Sequence, residues 1–450
     1  MTSARQAILP GYVLLCLLLG GSSQAIWGNA LLQLLAIGIL GWAALTSDPQ
    51  EIDKPGRRLL QLAAAVVLLL AVQLIPLPPS LWSAIPGRAF VANGFTLLGL
   101  PMPWLPISLA PYDTMTTALT LLPPLALLVG MFRLRSWRGE WMLLAVLVGT
   151  AISILLGMLQ VTSGDGSWYF YLRTNIGVAV GTFANGNHLA TLLLAAIPLL
   201  VAFALARWRG ADKPQQRSLT LTLTVASGAV LVIGIVVNGS AAILLIGPPV
   251  VVATAMLAMR LSPRRMAQGL LGIVALLGVA TTAVVASGAA LPAWGTQASV
   301  ETRELFWSTS LRAAKDHALA GSGVGTFEKV YRQYEDPALV DRWYVNHAHN
   351  DYLELALEGG IAAMVLLVLF LLWWGGRAKA LWLSPTASLE QKAAIIASAA
   401  ILLHSAFDYP LRTAAISAVF AVCMALVAGA RGMPASKDID ESERPRHATL

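Results

Sequence analysis

The run Asn346-His347-Ala348-His349-Asn350-Asp351-Tyr352-Leu353-Glu354 sets two histidines, two asparagines and two acids inside a chain that is otherwise mostly apolar. Ionisable groups beside a bilayer are costly to keep and mark function by default. Histidine titrates near neutrality and can take a proton from an incoming hydroxyl. The H-x-H spacing puts His347 and His349 on one face only where the backbone is extended. It is a weak metal signal, because no second cluster has ligand spacing and the acids fit the first turn of a helix starting near Asn350. A general base is the stronger reading for His349. For His347, a hydrogen-bonded loop histidine competes evenly with a binding role.

Arginines collect near this run. Arg303, Arg312, Arg332 and Arg342 share one long polar segment, and Arg173 lies in another. A planar, permanently charged guanidinium suits bidentate phosphate recognition. A base combined with such arginines suits group transfer from a lipid-linked diphosphate. Arg332 and Arg342 read as solvated surface groups, whereas Arg303 stands one helical turn from Trp307, as a residue fixed on a helix face would. His404, Asp408, Tyr409 and Arg412 cluster at a further turn, where an Asp408–Arg412 ion pair is expected.

The elements that position these groups are membrane spans. The chain has 450 residues, 57% hydrophobic and 12% charged, with a mean hydropathy of +0.70. A soluble domain cannot hide that much apolar surface. With about 20 apolar residues needed per span, the sequence predicts about twelve helices, near 7–23, 25–46, 59–77, 113–132, 141–160, 187–206, 218–237, 241–259, 267–288, 360–376, 393–407 and 412–431. The fold class is therefore an all-α polytopic membrane protein with one large extracytoplasmic helical loop. The basic loops 47–58, 133–140, 207–217, 260–266 and 377–392 alternate with loops almost free of charge, which predicts both termini and every basic loop in the cytoplasm. The net charge of +7 then marks topology, and a nucleic-acid surface is not expected.

Four regions follow: a bundle over 1–288 with outward loops 78–112 and 161–186, a large outward loop over 289–359, three last spans over 360–431, and a disordered cytoplasmic tail over 432–450. Residues 78–112, rich in proline and carrying Trp82 and Trp104, are expected along the interface with their rings at headgroup depth. Asp113 is placed to cap the next helix. An amphipathic helix is predicted over Glu301–Leu319, broken by Gly321-Ser-Gly-Val-Gly-Thr326. Cys16 and Cys423 fall inside spans, so neither a disulfide framework nor a zinc site is implied. The start of the chain mimics a secretory signal, but with so many spans following it reads as an uncleaved first helix. A transporter or lipid-glycan flippase is the rival class. It sits poorly with the lack of internal repeats and with titratable groups gathered on one outward face, since transporter sites lie near the midplane.

His349-Asn350, then nine residues, then Gly360 resembles the signature of the O-antigen ligase and polymerase superfamily, membrane glycosyltransferases of the GT-C type. Gly181-Thr-Phe-Ala-Asn-Gly-Asn187 resembles its G-T-F-x-N-x-N element. Arg303 with Trp307, followed by Gly321, Gly323, Gly325, Thr326 and Phe327, resembles the opening of its large loop, and His404-Ser-Ala-Phe-Asp-Tyr-Pro-Leu-Arg412 its closing motif. The ordered set spans roughly residues 170 to 425. One departure is Ala241, which follows Ser240 where the family carries a diphosphate-binding arginine; another is Ala363, three residues after Gly360.

The resemblance implies a metal-independent, cofactor-free transferase of a bacterial inner membrane, with its site facing the periplasm. It implies a glycan donor on undecaprenyl diphosphate and, as acceptor, lipid A–core or another lipid-linked glycan, within a polysaccharide assembly machinery. By the same resemblance His349 matches the base and Arg303 a diphosphate-binding arginine; with alanine at 241, either Arg173 or Arg312 substitutes for the missing arginine or donor binding is altered. Asn187, His347, Asn350, Asp351 and Glu354 complete the expected binding set.

Overall fold

The computed structural model describes residues 2–432 apart from 25, 47–50, 135, 165, 173, 260–296 and 341–344. The protein is an all-α polytopic membrane protein. Its helices are α1 (Thr2–Leu19), α2 (Trp27–Leu45), α3 (Lys54–Gln73), α4 (Pro79–Ser83), α5 (Ala89–Leu97), α6 (Pro111–Thr120), α7 (Leu122–Arg133), α8 (Gly139–Ser163), α9 (Gly186–Arg209), α10 (Pro214–Asn238) and α11 (Ala241–Ala258). They continue as α12 (Gln297–Asp316), α13 (Phe327–Tyr334), α14 (Asp351–Leu383), α15 (Leu389–His404) and α16 (Ala414–Ala428).

Among the described residues, eight helical stretches are long and apolar enough to cross a bilayer. One of them, Pro111–Arg133, is α6 and α7 in line. Two further expected spans correspond to the shorter apolar helices α1 and α16 at either end of the chain, and a third falls on the 16-residue helix α15. The predicted span over 267–288 lies outside the described residues.

Helix α9 is the hub. Two thirds of its apolar stretch is buried, and it packs against α8, α10, α11 and α15. The small residues of α16 (Ala415, Ala418 and Ala425 among them) are fully buried against the same core. Without a hydrophobic drive between helices in lipid, such close backbone approach supplies the packing. By contrast only 11% of the apolar stretch of α10 is buried, so this helix stands at the margin of the bundle.

The segment after α3 is closed by a two-residue antiparallel pairing, with Pro76 opposite Pro106 and Leu77 opposite Leu105. Trp104 is exposed, as an interfacial ring should be, but Trp82 is fully buried. Its Nε1 donates to the Pro106 carbonyl at 2.7 Å, and the Arg88 guanidinium lies 5.4 Å from its ring centroid. That internal hydrogen bond and cation–π contact hold the Trp82 ring inside the protein. Asp113 also differs from expectation. Ala110 is the N-cap residue that precedes α6, while Asp113 sits in the first turn and pairs with Lys329 of α13.

Helix α14 is broken at Gly360, whose φ of 59° and ψ of −155° fit glycine alone. A side chain there would meet the Ala318 carbonyl oxygen and the Gly321 nitrogen, both at 2.6 Å. The break frees carbonyls of the first two turns for outside donors. Ser322 N–H donates to Leu357 and Gly323 N–H to Glu358, while the Gln73 side-chain amide donates to Glu358 as well. In return Ile361 N–H donates to Ala318. The polar turns of α14 are thus bolted to the Gly321–Thr326 turn, and the apolar length follows beyond the break.

Candidate active site

Asn350 starts α14: its side-chain oxygen accepts from the N–H groups of Tyr352 and Leu353 at 3.1 and 3.0 Å, as an N-cap should. Asp351, Glu354 and Glu358 then lie along one helix face, spaced three and four residues apart. Arg412, from the turn between α15 and α16, reaches all three, at 3.5, 3.4 and 2.9 Å. The carboxylates are buried, and buried charge is tolerated only when paired and hydrogen-bonded. The remaining oxygens are satisfied. Glu358 Oε1 accepts from Gly325 N–H and Phe327 N–H, and Asp351 Oδ2 accepts from Ser405 Oγ.

The Asp408–Arg412 pair expected from sequence does not form. Three carboxylates of α14 occupy the guanidinium, and Asp408 turns instead to donors from α9 and its own backbone. It accepts from the Asn187 side-chain amide and, at 2.8 Å, from Tyr409 N–H. His188 Nε2 stands 3.6 Å from Asp408 Oδ1, beyond hydrogen-bond length. Burial alone would raise the Asp408 carboxyl, but the His188, His349 and His404 imidazoles around it hold it well below the usual carboxylate range.

His347 is held at both ring nitrogens. Its Nδ1 is 2.8 Å from Glu354 Oε1 and its Nε2 is 3.2 Å from Ser23 Oγ, while Ala348 N–H donates to the other Glu354 oxygen. His349 is different. It has a φ of 51°, the one positive value among the described non-glycine residues, a backbone state that costs energy and clusters at working sites. Its Nδ1 lies 3.1 Å from the His347 carbonyl oxygen, so in the neutral ring Nδ1–H donates there and the lone pair sits on Nε2. Among the described residues Nε2 makes no hydrogen bond. Burial, aided by the positive charge of Arg303, pushes the His349 pKa below the ordinary histidine value, while Asp408 partly opposes the shift.

Helix α12 supplies one wall. Trp307 Nε1 donates to the His349 carbonyl at 3.4 Å, and the Phe306 ring lies 5.6 Å from the imidazole centroid. Tyr409 supplies the other, with His347, His349 and His188 ring centroids at 4.1, 5.0 and 4.9 Å. The expected binding residues are therefore brought together unevenly. His347, His349, Asn350, Asp351 and Glu354 form one cluster, with Arg303 close enough to bear on His349. Asn187 joins it through Asp408 and accepts from Ser240 Oγ at 2.8 Å. Arg312 faces solvent and donates to Thr309 Oγ1 and the Tyr334 carbonyl. Arg173 and Arg342 lie outside the described residues. Ala241 is at the first turn of α11, next to the Ser240 that caps it.

Glu358, His188 and Ser23 were not singled out from sequence. Glu358 had a legible signal, being the third acid on one face of a helix that runs into an apolar span. His188 and Ser23 had none, since their neighbours come from distant segments.

The arrangement offers a neutral imidazole with one nitrogen anchored and one open, an arginine beside it, and a rigid acid–arginine strut behind. No curated protein matches the chain. Residues 174–368, which carry Asn187, Arg303 and the whole histidine run, match the family model described as O-antigen ligase; over that stretch the match supports the O-antigen ligase and polymerase superfamily.

Proposed function

We propose that this membrane glycosyltransferase moves a glycan from an undecaprenyl diphosphate carrier to an acceptor hydroxyl at the periplasmic face of a bacterial inner membrane. His349 is the general base. Its Nε2 takes the proton of the acceptor hydroxyl as that oxygen attacks the anomeric carbon. The bond from carbon to diphosphate oxygen breaks on the opposite side, inverting the centre, and the lipid diphosphate leaves with the electron pair. Arg303 meets the charge growing on the leaving group, which is the larger share of the work in such reactions. Arg173 and Arg312 are the candidates for a second phosphate contact in place of the arginine absent at Ala241. Asn187, Asn350, Asp351 and Glu354 hold the base, and His347 anchors its carbonyl partner. Metal and cofactor play no part in this scheme.

The observation that carries the reading is the His349 ring, fixed through Nδ1 and, among the described residues, free at Nε2, with Arg303 at hand. The orientation rests on the helix ends. The catalytic cluster lies where α9 and α16 begin and α15 ends, and the opposite ends of α9 and α16 carry Arg207, Arg209 and Arg431. Arginine-rich ends mark the cytoplasm, which supports a periplasmic cluster with both termini on the other side.

A deletion strain tests the proposal. Long polymer stranded on carrier lipid identifies a ligase whose acceptor is lipid A–core. Single repeats on the carrier identify a polymerase whose acceptor is another lipid-linked unit, working within a polysaccharide assembly machinery. Lipid-linked glycan trapped on the cytoplasmic side, with transfer intact in isolated membranes, overturns the proposal in favour of a flippase.

A further inference from the structure

At the end of the bundle opposite His349, a cavity of about 1210 Å³ opens between α8, α9 and α10 and the ends of α15 and α16. Its walls are mostly apolar: Leu147 and Ala151 come from α8, Leu219 and Leu223 from α10 beside Thr220, Thr224 and Ser227, and Leu200 and Phe203 from α9. Its rim is charged and balanced, with Arg138, Arg207 and Arg431 against Glu140, Asp212 and Glu390.

Depth and charge together define the occupant. From Glu140 to Ala151 on α8, and from Gln216 to Ser227 on α10, the lining runs eleven residues. At a rise of about 1.5 Å per residue that is roughly 17 Å, close to half of a hydrocarbon core of about 30 Å. The crevice is one leaflet deep. Because α10 is scarcely buried, the space opens sideways to lipid. The rim bears three guanidinium and three carboxylate groups, which disfavours a net anionic headgroup. Glu140 is engaged by Arg138 at 3.7 Å and Arg207 at 3.4 Å. Ser388 Oγ donates to the Glu390 carboxylate at 3.3 Å, which leaves that group capacity for charge-assisted donors. A phosphate suits the arginines and a primary ammonium, with its three N–H donors, suits the carboxylates.

We infer that this crevice is a structural lipid site for one zwitterionic glycerophospholipid with a primary-ammonium headgroup, drawn from the leaflet at the arginine-rich end. The lipid wedges α10 against α8, and so supports the Asn238–Ser240 corner that reaches Asn187 at the other end of the helix.

The test uses the full-length protein in vesicles of equal parts phosphatidylethanolamine, phosphatidylglycerol and phosphatidylcholine, re-extracted and weighed by native mass spectrometry. One phosphatidylethanolamine is expected to stay bound per chain. The Leu147→Trp/Leu223→Trp variant, which fills the walls, is expected to lose it. Should that variant not fold, Glu140→Gln/Glu390→Gln serves instead: its rim becomes net positive and the retained lipid should switch to phosphatidylglycerol. Equal retention of all three lipids by the unaltered protein, phosphatidylglycerol as its preferred lipid, or unchanged retention by both variants would overturn the inference.

Discussion

The Nδ1 nitrogen of His349 lies 3.1 Å from the carbonyl oxygen of His347, and this contact decides which ring nitrogen is left to accept a proton. A neutral imidazole donating through Nδ1 must accept through Nε2. The positive φ of His349 is what folds its ring back onto its neighbour's carbonyl. An imidazole held this way needs no further partner to fix its tautomer.

The pH profile should reflect it. Because burial and Arg303 depress the His349 pKa, the acid limb of kcat/KM is expected below the ordinary histidine value of about 6.5. Activity falls as pH drops through the depressed pKa, since protonation removes the base. Arg303→Gln removes a lowering charge and should move the limb to higher pH. Asp408→Asn removes a raising charge and should move it to lower pH. Shifts of the same sign in both variants would refute the electrostatic picture.

Arg412 closes the strut. Removing one partner of a buried ion pair strands the others, at a cost of about 3–5 kcal/mol. Arg412→Gln is therefore expected to lower Tm markedly in detergent and to reduce the yield of folded protein. Glu358→Gln, which leaves Arg412 with Asp351 and Glu354, should cost less. Thermal unfolding followed by intrinsic fluorescence separates the two.

Gly360 tolerates no side chain. Its φ and ψ cost a non-glycine residue about 1–3 kcal/mol, and a methyl group would meet backbone at 2.6 Å on two sides. Gly360→Ala is expected to loosen the Gly321–Thr326 turn and to open α14 at the break. Hydrogen exchange at Ser322 and Gly323, whose N–H groups donate to α14, should rise well above that of the unaltered protein.

Much of this was legible in the sequence, for reasons that can be named. The apolar runs and their arginine-bearing ends fixed the helical class, and Asn350 announced the helix that it caps. Three acids on one helix face demanded a cation, but which cation was hidden. Arg412 is 54 residues from Glu358, and the nearer Asp408 was the natural guess for it. The role of Tyr409 was equally hidden, because its ring gathers His188 from α9 and two histidines from the loop before α14. Trp82 shows the same limit: an indole in a proline-rich segment suits an interface or a pocket, and only the Pro106 carbonyl decides. Spacing within one helix is written locally; partners across helices are not.

The most direct measurement is single-turnover transfer from a synthetic lipid-diphosphate glycan to an acceptor by purified His349→Ala, beside His347→Ala as control. The account predicts a loss of about 10²–10⁴-fold for His349→Ala, the usual share of a general base, with donor binding kept and Tm little changed. Transfer at the unaltered rate by His349→Ala in a folded protein would contradict it.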